Sequence, residues 1–204
     1  SSTRRQSVPP QPRAAELMDL ETARLRLNAL RESDADALFR YRADPDVCRY
    51  QGWRPATLAD AERFISSQSA LTAPAPCQWF QRAIRHRDDG ALIGDLGFCL
   101  CDAQAEFGIT LAPAVQGNGY AREALHALFG WLFGELGIHS VHASVDPRNA
   151  PSMALLQAMG MRKEAHYRES LRFHGTWVDD VVFGLLAGEW PDVAGKGAGN
   201  AASR

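Results

Sequence analysis

Between residues 24 and 187 the apolar residues change period repeatedly, from two to 3.6 and back. A chain patterned in this way has to build strands and helices in alternation, which is the mark of a mixed α/β domain. "RLRLNAL" (24–30) alternates as a strand, and "SDADALFRYRAD" (33–44) follows as a helix with Ser33 as its N-cap, ending before Pro45. A second helix is expected at 57–70, capped by Thr57. Strands are expected at 78–86, 92–100 and 106–111, the first two joined by the turn "RDDG". A long helix at 119–136 buries Leu125, Leu128, Phe129, Leu132 and Leu136 and is ended by Gly137. A strand at 140–145, a helix at 150–159 closed by Gly160, and two strands near 162–172 and 177–187 complete the pattern.

With 46 % hydrophobic residues in 204, the chain has enough apolar material for one domain with a proper core. A net charge of −2 supplies no broad electrostatic footprint for nucleic acid. Apolar stretches such as 181–188 are too short to cross a bilayer, and the N-terminal residues lack the apolar segment of a signal peptide, so a cytoplasmic protein is expected. Residues 1–18 and 192–204 have the composition of unstructured tails, the first either native or a remnant ahead of a start at Met18, which leaves 19–191 as the folded unit. The four cysteines fit neither a zinc spacing nor a disulfide framework. Cys99 and Cys101, two apart on a strand, read as small buried hydrophobes. The six histidines show no metal spacing, and no metal is expected.

The loop "QGNGYA" (116–121) opens the long helix. The first N–H groups of a helix have no intrahelical partner and carry the positive end of the helix dipole. Glycines at 117 and 119 permit positive φ and a close backbone approach, so the loop suits either a phosphate or a turn that simply needs glycine. A dinucleotide fingerprint would require a small residue at 122, where Arg stands. The only Gly-Lys pair, at 195 and 196, is followed by Gly197, which excludes a Walker loop.

"QGNGYA" resembles the Gln/Arg-x-x-Gly-x-Gly/Ala signature of the GCN5-related N-acetyltransferases (GNAT), and the chain is most similar to the subgroup that contains RimJ and RimL. "LETARLRLNAL" resembles that subgroup's "T-x-R-L-x-L-R" strand, "DPRNAPSMALLQAMGM" its "N-x-x-S" helix, and "WVDDVVFGLL" its closing strand. The resemblance implies a mixed, twisted sheet of six to seven strands with helices on both faces. It also implies acetyl-coenzyme A as co-substrate, lying where strands 106–111 and 140–145 splay apart. Pyrophosphate would rest on the N–H groups of Gln116, Gly117, Asn118, Gly119, Tyr120 and Ala121, with Arg122 either a phosphate partner or a solvated helix residue. The main chain of Gly108, Ile109, Thr110 and Leu111 would pair with the pantetheine arm as an added strand.

Asn149 suits a helix N-cap and, by the resemblance, also bonds the coenzyme near the thioester. Ser152 is either a first-turn hydroxyl bound to local backbone or the acid that protonates the departing thiolate. The tyrosine that many relatives carry seven residues after the asparagine is Leu156 here, which leaves Ser152 as the available hydroxyl. Glu106, at the start of its strand, is the candidate general base or else a solvent-facing charge. The further carboxylate of the RimL-like pattern falls on Leu171, with Glu169 two residues away. Tyr50, Trp53 and Arg54 either line an acceptor pocket or pack. The expected reaction is direct acetyl transfer to a primary amine, a protein N-terminus or a small molecule, by a monomer or homodimer. A non-catalytic acyl-coenzyme A sensor is the alternative.

Overall fold

Each change of period marks one element of the computed structural model, which describes residues 18–190. In chain order these are β1 (Leu20–Glu21), β2 (Leu25–Asn28), α1 (Ala35–Arg42), α2 (Pro45–Cys48), α3 (Leu58–Ser69), β3 (Trp79–His86), β4 (Leu92–Cys101) and β5 (Gln104–Leu111). There follow α4 (Tyr120–Gly134), β6 (Ser140–Val145), α5 (Ala150–Ala158), β7 (Arg162–Phe173) and β8 (Thr176–Leu186). All eight strands form one sheet in the order β1-β2-β3-β4-β5-β6-β8-β7. The expected six to seven strands become eight because Leu20–Glu21 adds a short antiparallel edge to β2. Of the tails expected at 1–18 and 192–204, residues 1–17 and 192–204 lie outside the described residues. Met18, assigned to the tail by its neighbours' composition, is buried in the core at 2 % exposure.

Strand alternation sorts the side chains into two cores, one on each face of the sheet. Ile84 joins Leu27, Phe98, Phe107, Phe183 and the apolar side of α4, with Leu125, Leu128, Phe129 and Leu132. Its neighbour Ala83 turns the other way, toward Leu38 and Tyr41 of α1 and Ala61 and Ile65 of α3. Helices therefore cover both faces.

Local chemistry ends the helices much as the sequence leads one to expect. The Thr57 hydroxyl accepts from the Asp60 N–H while the Asp60 carboxylate accepts from the Thr57 N–H, a reciprocal cap. Gly137 and Gly160 carry φ of +63° and +82° after α4 and α5, a conformation L-residues avoid. The N-cap expected at Ser33 is displaced. Glu32–Asp34 form a single tight 3-10 turn, and the Asp34 carboxylate accepts the Arg31 N–H while also meeting Arg85 at 2.6 Å. A buried ion pair thus governs the entry to α1. A second one, Arg42 with the fully buried Asp95 of β4, fixes its end.

The cysteine expectation is also corrected. Cys101 is exposed and its sulfur faces that of Cys77 in a disulfide, with the Cα atoms 5.2 Å apart. The segment before β3 runs alongside the end of β4, where Pro76 bridges Leu100, and this brings together two residues 24 apart in sequence. Cys99 is half-buried, and burial, with Glu106 as its neighbour across the β4–β5 ladder, raises its thiol pKa.

Candidate active site

Among the described residues, only one pair of neighbouring strands is parallel. β5 and β6 pair at Gln104↔Ser140, Ala105↔Val141 and Glu106↔His142, and there the ladder stops. β5 continues to Leu111 bonded to β4, and β6 continues to Val145 bonded to β8. From Gly108 onward, the edge of β5 that faces β6 therefore has no strand partner. A cavity of 340 Å³ opens at this divergence, walled by Gly108 and Ile109 on one side and Ala143, Ser144 and Val145 on the other.

The loop before α4 follows the end of β5. Gly117 and Gly119 have φ of +81° and +78°, and a Cβ at 117 would meet nothing within 4 Å. The polar side chains here point inward to the loop. Gln116 Nε2 donates to the Leu111 carbonyl at 3.1 Å, and Asn118 Nδ2 donates to the Val115 carbonyl at 3.0 Å. They brace the backbone, and the Gln116 N–H is itself taken by the Pro113 carbonyl at 3.3 Å, so the loop's first expected anion donor is already occupied. Gly119 is the N-cap of α4, so no side chain caps the 15-residue helix, and its first-turn donors stay free for an anion. Tyr120 bonds His86 through its hydroxyl at 2.8 Å. Arg122 lies away from the cleft, beside Glu21, Thr22, Glu123 and His126 in a separate open hollow of 480 Å³.

The sequence reading assigned no role to the residues that hold this loop in place. Arg24 on β2 donates to the Asn118 carbonyl at 2.9 Å, pairs with Glu123 of α4 at 2.7 Å and lies 4.3 Å over the Tyr120 ring. Thr22 donates to the same Glu123 carboxylate at 2.6 Å. Desolvation pushes Glu123 upward, but bonds from Thr22 and Arg24 prevail and hold its carboxyl below the usual range. The "T-x-R-L" strand motif carried this signal without saying which partner it meets.

α5 closes the opposite side of the cleft. Asn149 caps it, its Oδ1 accepting the Ser152 N–H at 3.3 Å, and Pro151 occupies the first turn without loss of a needed donor. Asn149 and Ser152 both line the cavity, as do Tyr50 and Leu171. Glu106 does not line it. Its carboxylate is 42 % exposed and sits 4.0 Å from His142 Nε2, at the last paired position before the strands part. Trp53 stacks on Phe64 at 4.7 Å and Arg54 donates to the Ala43 carbonyl, so of that trio only Tyr50 reaches the cleft.

Three carboxylates lie in the cavity wall, and the sequence reading singled out none of them: Asp146, Asp179 and Asp180. The side-chain bond from Arg148 lowers the pKa of Asp146, and the Glu169 N–H and then His166 lower that of Asp179. Asp180 receives the Ser144 hydroxyl at 2.9 Å and has no cationic partner among the described residues. "DPRN" and "WVDD" both stood inside motifs noted for other reasons, but their convergence depends on β8 lying between β6 and β7.

A glycine loop that leads into a helix start without a side-chain cap thus follows the free edge of β5, and a hydroxyl-bearing helix start lines the cleft that this edge walls. The model of the acetyltransferase (GNAT) domain matches residues 24–162. The uncharacterised N-acetyltransferase p20 of Bacillus licheniformis is 31 % identical over 175 residues, 84 % of this chain and 97 % of that protein. The [ribosomal protein uS5]-alanine N-acetyltransferase of Escherichia coli is 31 % identical over 83 residues, 41 % of this chain and 43 % of that protein. Among solved structures, a GNAT-family acetyltransferase from Bacillus anthracis superposes with a TM-score of 0.77 at 24 % identity, covering 84 % of this chain and all of that one. The chain belongs to the GNAT family and is an acetyl-coenzyme A-dependent N-acetyltransferase.

Proposed function

We propose that the enzyme transfers an acetyl group directly from acetyl-coenzyme A to a primary amine, on a protein N-terminus or a small molecule, as a RimJ/RimL-like member of the family. The single observation that carries the placement of the co-substrate is the end of the β5–β6 ladder at Glu106↔His142, which leaves a strand edge unpaired in a cleft lined by Asn149 and Ser152. Pyrophosphate rests on the N–H groups from Gly117 to Ala121, that of Gln116 being held by the Pro113 carbonyl, and the pantetheine amides take the place of a strand beside Gly108, Ile109, Thr110 and Leu111. Asn149 is bonded near the thioester and Ser152 protonates the thiolate, while the family resemblance assigns the amine's base to Glu106, which stands outside the cavity wall. Such a protein works in the cytoplasm, where acetyl-coenzyme A is made, as a monomer or homodimer.

Isothermal titration with acetyl-coenzyme A, followed by thiol release with a panel of amines and N-terminal peptides, tests this assignment. Binding with amine-dependent release supports it. Tight binding with no release across the panel favours a sensor, and absence of binding by folded protein rejects the cleft as the coenzyme site.

A further inference from the structure

Glu106 lies outside the cavity wall, and the position of the RimL-like carboxylate holds Leu171. A base has to reach the amine within hydrogen-bond distance or through one water, and it has to retain basicity. The three carboxylates in the wall differ in how much of their acceptor capacity their partners occupy. Asp146 is held by Arg148 through Nε at 3.0 Å and Nη2 at 2.7 Å. Asp179 takes the Glu169 N–H at 2.8 Å and faces His166 Nε2 at 2.7 Å. Both are stabilised as anions, which makes them poor proton acceptors.

Asp180 is placed differently. Ser144 Oγ lies 2.9 Å from each of its oxygens and has one proton to give, so most of the carboxylate's acceptor capacity is left over. The two residues stand on neighbouring strands, Ser144 opposite Val182 and Asp180 one step diagonal on the same face, beside the stretch of β6 that has parted from β5. The charged and titratable groups that share its cavity are Asp146, paired with Arg148, Asp179, paired with His166, and Arg172 and Tyr50, while Tyr167 stands opposite it on β7.

We propose that Asp180, oriented by Ser144, receives the proton of the acceptor ammonium and is a catalytic residue of the transfer. It takes this role only if the cleft is the acetyl-transfer site proposed above. The ammonium passes one proton to the Asp180 carboxylate, and the resulting neutral amine forms the C–N bond at the thioester carbon. The C–S bond breaks and the thiolate takes the Ser152 proton. The new amide nitrogen returns a proton to the Ser152 oxygen through water, and Asp180 yields its own to solvent, so one proton is released per turnover. Uncharged Ser144 sets the carboxylate's orientation and competes for no proton at neutral pH.

The test uses the full chain with the best amine from the panel, measuring acetyl-coenzyme A affinity, kcat and amine KM from pH 7 to 10. Asp180→Asn is expected to keep acetyl-coenzyme A affinity within about twofold and to lose kcat by roughly 10²-fold or more at pH 7. The deficit should shrink as pH rises and bulk solvent supplies neutral amine. Activity within threefold of wild type, or a rise in amine KM with kcat unchanged, overturns the assignment, the latter leaving Asp180 an anchor only. If Asp180→Asn also loses coenzyme binding, two further variants decide. Asp180→Glu retaining activity within about tenfold, with Ser144→Ala reduced several-fold, supports the role; no activity in Asp180→Glu with wild-type rates in Ser144→Ala overturns it. A wild-type enzyme that binds no coenzyme or releases no thiol is a failure of the transferase cleft instead.

Discussion

Arg24 holds the backbone carbonyl of Asn118 at 2.9 Å across 94 residues of sequence, tying the second strand of the sheet to the loop that opens α4. The same guanidinium grips Glu123, so strand, loop and helix form one brace behind the start of α4, where the proposed coenzyme donors stand. Preorganised donors bind an anion without an ordering cost.

Glu123→Gln or Arg24→Lys should therefore weaken acetyl-coenzyme A binding by about five- to tenfold, worth roughly 1 to 1.4 kcal/mol for a partly exposed charged bond. kcat at saturating coenzyme should change little. Titration calorimetry beside steady-state kinetics separates the two.

The brace also predicts an acid limb. The folded pKa of Glu123 is lowered from 4.5, so its contribution to stability is fully present above that value and is lost as pH falls through the folded pKa. Urea unfolding between pH 6 and pH 3 should show a smaller acid loss in Glu123→Gln than in wild type.

Burial makes a different demand of Arg85. Its guanidinium meets both oxygens of Asp34, the Asn28 side chain and the Ala29 carbonyl, and both charged side chains are nearly inaccessible. Arg85→Met strands a buried carboxylate and should cost about 3 to 5 kcal/mol in denaturant unfolding.

Arg82 presents the reverse case. At 2 % exposure it has Nε and Nη2 without a hydrogen-bond partner among the described residues, resting against the Phe80 ring at 4.1 Å, and burial lowers its pKa. Arg82→Met removes the unpaired donors while keeping the volume, and is expected to leave stability unchanged or raise it by about 1 kcal/mol. A lowered urea midpoint would contradict this.

The Cys77–Cys101 disulfide gives a thiol count: two free thiols, from Cys48 and Cys99, in protein unfolded without reductant, and four after reduction. Closing a loop of that length is worth roughly 3 kcal/mol, so Cys101→Ser should lower stability by up to that amount without reductant and hardly at all with it. In a reducing compartment the bridge is open to reversal.

Much of this protein was legible before its chain was folded. The alternation of periods gave the element order, Thr57, Gly137 and Gly160 marked helix ends, and the loop at 116–121 with Asn149 and Ser152 pointed to the acetyltransferase family. Each of those signals acts within a few residues, through a cap, a positive φ or a repeat, so it survives in the linear text. Ser33 failed as a cap because Asp34 answers to Arg85, 51 positions away. Tertiary structure alone decided which partners meet: Arg24 with Asn118, Cys77 with Cys101, and Ser144 with Asp180, 36 residues on. Those meetings depend on sheet order, with β8 inserted between β6 and β7, and sheet order is chosen by how two cores close on opposite faces of the sheet.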